Sequence, residues 1–197
     1  MTFPRRRARR LTVAAVAAIS LSSLAACGGG NDPETTSPTA EETNAMGGET
    51  GMTMNDPDAI AADELPGAAL RTGEFAVLDT APPGSEGVSG TAYVAEDAPG
   101  APGTTWTVRM AGLAPDTEYV GHLHVDACSD GNAGDHFKFD PSGSDMPPNE
   151  VHIGFTSDSA GNAEATVTNE QAVGEGVKAA VIHPAATMDN KLACADL

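Results

Sequence analysis

From about residue 69 onward the chain alternates short apolar runs with clusters of turn formers. Residues 88–95 read Val-Ser-Gly-Thr-Ala-Tyr-Val-Ala, an alternation that puts one set of side chains on each face of a strand. Similar runs predict strands at 73–78, 105–110, 118–125, 151–156, 163–168 and 177–183. Between them stand Ala81-Pro-Pro-Gly84, Ala98-Pro-Gly-Ala-Pro-Gly103, Ala114-Pro-Asp116 and Ser159-Ala-Gly-Asn162. Pro and Gly at this density punctuate turns, and no stretch carries a helical repeat. Seven short strands with closely spaced turns predict an all-β antiparallel sandwich or barrel over 69–197, long enough for one core.

The first 68 residues follow other rules. Arg5, Arg6, Arg7, Arg9 and Arg10 precede an apolar run over 11–26, which ends in Leu24-Ala25-Ala26-Cys27. A basic start, a short apolar stretch and small residues before a cleavage point make residues 1–26 a secretory signal. The four residues ending at Cys27 are similar to a bacterial lipobox, which implies that Cys27 becomes a lipid-carrying N-terminus. The expected location is the outer face of the bacterial cell membrane, on its periplasmic or extracellular side. Residues 27–68 are rich in Gly, Thr, Glu, Asp and Pro and are expected to form a flexible stalk, because they cannot bury enough surface to offset their ordering entropy. Met46, Met52 and Met54 lie there. Thioethers can hold Cu(I), although chance methionines in a linker are the plainer reading.

The charge sharpens once the signal is removed. The whole chain has a formal charge of −18, but half of its ten basic residues belong to the signal. From Cys27 onward five basic residues face 28 acidic ones, a formal charge of −23. Such a chain excludes nucleic acid as a partner, because phosphate binding needs clustered Lys and Arg. Two of the three cysteines, Cys128 and Cys194, remain beyond the signal, in a compartment where a disulfide persists. A bridge between them would pin the loop after residue 127 to the chain end.

All five histidines fall in the β region. His122 and His124 share one strand face by the period of two, a spacing that suits one metal ion and also occurs by chance on surfaces. His136 lies in the long loop 127–149, and His183 ends an apolar strand. Imidazoles gathered from two strands and a loop suit Cu or Zn.

Val120-Gly-His122-Leu-His124, Cys128, Gly134-Asp-His136-Phe137, Val181-Ile-His183 and Leu192-Ala-Cys194, in that order, resemble the copper/zinc superoxide dismutases. Gly112-Leu-Ala-Pro115 and Asp158-Ser-Ala-Gly-Asn-Ala163 fit the same pattern, so the resemblance spans about 69–197. It implies a Greek-key β-sandwich or flattened barrel, copper on His122, His124, His136 and His183, and a Cys128–Cys194 disulfide. His136 would match the metal-bridging histidine and deliver a proton, and Lys191 would stand where an arginine attracts the anionic substrate.

Two departures point to a copper-only, zinc-site-deficient bacterial lipoprotein. The stretch 140–149 has no histidine, which leaves His152 as a doubtful zinc ligand, with Phe155 where an aspartate belongs and Asp135, Asp140 and Asp145 as substitutes or merely solvated acids. The charged loop after His183 is cut to seven residues before Lys191. The implied activity is copper-dependent dismutation of superoxide to oxygen and hydrogen peroxide. The alternative is a surface lipoprotein that binds or buffers copper without turnover.

Overall fold

The computed structural model describes residues 54–197. The signal, Cys27, Met46, Met52 and the first part of the expected stalk lie outside them. Among the described residues, eight strands run as β1 (Ala69–Val77), β2 (Ser89–Ala98), β3 (Ala101–Ala111), β4 (Glu118–His124), β5 (His152–Thr156), β6 (Ala163–Asn169), β7 (Ala179–Pro184) and β8 (Ala193–Asp196). All pair antiparallel, in the order β5-β4-β7-β8-β1-β2-β3-β6. The two ends of that order, β5 and β6, lie against each other. Strands β4, β5 and β6 are therefore successive neighbours and β7 returns beside β4, which is the Greek-key order. The all-β antiparallel expectation holds. The four-residue β8 is the strand that periodicity misses, since Ala193-Cys-Ala-Asp196 is too short to show alternation and its first three residues are all buried.

The core forms as the alternation predicts. Trp106, Val108 and Met110 of β3 point inward, where they meet Val94, Leu123, Ile153, Val167 and Ile182. Gly121 on β4 faces this interior, because a Cβ there would come within 2.8 Å of Ile153 and Ile182 and 2.9 Å of Trp106. The indole fills the space that the glycine leaves.

The boundary expected at residue 69 falls earlier. Met54 to Asp56 cross the seam between β5 and β6: Gly154 donates its N–H to the Met54 carbonyl at 2.6 Å, and the Asp56 N–H donates to the Thr166 carbonyl at 2.7 Å. The 3-10 turn Ala62–Glu64 then covers the outer side of β3, where the Ala62 N–H donates to Thr107 Oγ1 and Asp63 pairs with Arg109. Two unpaired sheet edges need backbone partners, and a polar, Pro-containing segment supplies them. Composition alone reads the same segment as a stalk.

Candidate metal centre

Strand β4 places the first two histidines. Leu123 points into the core, so His122 and His124 both project from the opposite face, under the loop that leads to β5. His183 projects from the same face of β7, two residues along from Val181, the register partner of His122. His136 is brought in by backbone bonds: its residue bridges to His124, and the next N–H, of Phe137, donates to the Leu123 carbonyl at 2.8 Å. Phe137 and Phe139 pack on the core and hold the loop down.

The hydrogen bonds then fix which nitrogen each ring offers. His124 Nδ1 donates to the Gly134 carbonyl (3.2 Å) and His183 Nδ1 to the Met188 carbonyl (2.7 Å). His136 Nδ1 donates to Glu150 Oε2 (2.9 Å). The lone pairs of these three rings are therefore on Nε2. His122 Nδ1, His124 Nε2 and His183 Nε2 are buried and have no hydrogen-bond partner. Buried polar atoms without partners are costly, and here three of them converge. One ligand atom from each of His122, His124, His136 and His183 lies within 4.8 Å of the others. Nitrogens bound at about 2.0–2.1 Å to one ion sit at most about 4.2 Å apart, so small side-chain movements close the set.

Burial keeps the rings of His122, His124 and His183 neutral. It pushes His124 down to about 3, helped by the charges of His136 and Lys191, and His183 down to about 4 against the pull of the Met188 carbonyl. Burial and the neighbouring histidines hold His122 far below the ordinary imidazole range. The unfolded chain accepts protons below about pH 6.5 that the fold refuses until near pH 3–4. The stability is fully present above pH 6.5 and is lost as pH falls through that window. Metal-free protein should therefore melt at lower temperature at pH 5 than at pH 7, losing about 1.4 kcal/mol per pH unit for each such histidine. A thermal midpoint that stays level between those pH values would contradict the burial argument.

Glu150 is the residue of the candidate site that sequence reasoning misses. It is only 1% exposed, and its Oε2 accepts from both His136 Nδ1 and His152 Nε2 (2.8 Å), while Oε1 has no partner. The Glu150-x-His152 spacing mirrors His122-x-His124 and was the available signal. It sits at the loop–strand boundary, where period-two reasoning is weakest. His152 is buried, and burial lowers its pKa against the pull of Glu150. Together with His122, His136 and Glu150 it forms a second group able to hold a metal ion. Phe155 stacks on Tyr119 in the core. Asp135 and Asp145 stand at the mouth of the cavity above the histidines, and Asp140 is spent on Ser142. None of the three belongs to a metal-competent group among the described residues.

The cavity is open, with a volume of about 940 Å³, and all five histidines line it. Lys191 reaches its wall, but two of its three donors go to the carbonyls of Asn132 (2.7 Å) and Gly134 (2.8 Å). Gly131, Asn132, Ala133 and Gly134 all have positive φ, a strained run for Asn132 and Ala133 that needs outside support. Lys191 provides it, and through Gly134 reaches the carbonyl that orients His124. Burial lowers the Lys191 pKa, and Asp135 opposes the shift. Cys128 and Cys194 are joined in a disulfide that ties the start of this loop to β8.

No family model and no curated protein matches the chain. Among solved structures, a Cu/Zn superoxide dismutase from Brucella abortus is similar over 64% of this chain and 98% of its own length, at 19% identity and a TM-score of 0.45.

Proposed function

We propose that the chain holds copper on His122, His124, His136 and His183 and dismutates superoxide at the outer face of the bacterial cell membrane, where a lipid on Cys27 anchors it. The observation that carries this reading is the convergence of three partnerless, buried imidazole nitrogens with His136 in one open cavity. An all-histidine set suits copper in both oxidation states. Bound copper would supply a one-electron couple that oxidises one superoxide to oxygen and reduces the next.

His136 is the half-exposed ring of the four and faces the cavity. Its Nδ1 is held by Glu150, so the ring cannot turn away and Nε2 stays aimed at the cluster. Protonated at Nε2, it is placed to give one of the two protons that peroxide needs, while water gives the other. The Glu150 carboxylate offsets the charge of the imidazolium that forms. Lys191 contributes a local positive charge beside His124, and this local field matters more to an anion than the distant total, because screening cuts off at about 8 Å. His152 acts by steadying Glu150, and zinc on the second group is a lesser expectation.

One observation favours the alternative, a copper-holding surface protein with little turnover. The cavity mouth carries Asp135, Asp145 and Asp189 against only Lys138 and Lys191, and Lys191 is largely spent on carbonyls. Metal content and superoxide removal, measured on the same copper-loaded sample, separate the two. Dismutation proportional to bound copper is expected. Stoichiometric copper with negligible dismutation would favour storage, and no bound copper would end both readings.

A further inference from the structure

Six large apolar side chains are notably exposed among the described residues, and three of them, Val125, Met146 and Met188, line the mouth of the histidine cavity. The two methionines are 58% and 41% exposed. They come from loops next to the two strands that flank β4: Met146 from the loop before β5, Met188 from the turn after β7. Each is tied by its backbone to a residue of the site. The Met188 carbonyl accepts from His183 Nδ1, and the Met146 carbonyl accepts the Glu150 N–H at 3.4 Å.

Exposed methionines on opposite flanks of one cleft contribute little to packing. Their sulfurs are soft ligands that suit Cu(I), whereas imidazole serves both copper states. The excess of carboxylates over ammonium groups at the same mouth favours a cation. We propose that Met146 and Met188 form a capture site for Cu(I), which takes the ion at the rim and passes it inward to the histidines. The transfer is a ligand exchange: Cu–S bonds break as Cu–N bonds form at the partnerless nitrogens, and no electron moves. The proposal rests on copper as the ion of the histidine site, and it adds a route by which the ion arrives.

The test uses full-length, metal-free protein and two probes. Cu(I) is presented as its coloured bicinchoninate complex and the loss of colour is followed in time. Cu(II) uptake is followed separately by the visible absorption of histidine-bound copper. Met146→Leu/Met188→Leu conserves volume at exposed positions, so the fold should tolerate it. Cu(I) uptake by this variant should slow by about tenfold or more, because leucine offers the ion no soft ligand while the charges at the mouth stay unchanged. Its final copper content and its Cu(II) uptake should match the parent. Equal Cu(I) rates in the two proteins would overturn the proposal, as would equal slowing for both oxidation states, which would mean that rim shape rather than sulfur matters. A parent protein that takes up copper in neither state would overturn the copper reading itself, a result distinct from either of these. As a readout that needs no variant, selenomethionine-labelled protein given a small amount of Cu(I) should show copper as a neighbour of selenium. Its absence during uptake would also overturn the proposal.

Discussion

Alanine at His124 is expected to leave the chain unable to retain copper and to cut superoxide removal by about a hundredfold or more. Changing a residue that only orients a ligand typically costs 10–100-fold in metal affinity or activity, and His124 does more than orient. Its Nε2 is one of the three buried nitrogens without a partner, and its Nδ1 pins the Gly134 carbonyl that Lys191 also holds. Removing the ring would delete a proposed ligand and one of the two side-chain donors on the Gly134 carbonyl, while Lys191 still braces the 131–134 run. His152→Gln is the informative contrast. His152 lies outside the four-histidine group, so that variant should keep its copper while Glu150 loses one of its two imidazole donors. Metal analysis and a dismutation assay on both purified variants check the pair. A His124→Ala protein with one copper per chain and ordinary turnover would remove His124 from the site.

The second large effect is on stability. Replacing both cysteines, Cys128→Ser/Cys194→Ser, should cost about 4 kcal/mol, as the chain-entropy model gives for a bridge with 66 residues of sequence separation. For a domain of this size that lowers the melting temperature by roughly 10 °C. The bridge covers a small secondary core of Ala133, Ala179, Val181 and Cys194, and the Cys128 N–H donates to Asp196 Oδ1 beside it. The loop it anchors also carries His136, so copper affinity should fall along with stability. Chemical denaturation of the double variant against the parent measures the loss, and coincident transitions would refute it.

The histidine spacing and the two cysteines were readable along the chain, because a strand's period of two is local and fixes which residues share a face. The seven longer strands were readable for the same reason. Strand β8 was not, since four residues, the first three all buried, carry no period. The segment 54–68 was read as stalk because its composition is polar, but its role comes from the seam it crosses. Sheet edges left open by β5 and β6 make partners of Met54 and Asp56, and nothing within the segment announces those edges.

The histidines, the cysteines and the all-β pattern were thus determined by the sequence, through alternation and turn chemistry that act over a few residues. Only the tertiary structure decided which nitrogen each imidazole offers. The acceptors that orient the rings, the carbonyls of Gly134 and Met188 and the carboxylate of Glu150, lie 5 to 14 positions away from the histidines they hold. It likewise decided that Lys191 braces a strained loop as well as lining the cavity, and that Met146 and Met188 line the same cavity mouth. Hydrogen-bond direction and burial depend on what folds over a side chain, and that information is absent from the order of residues alone.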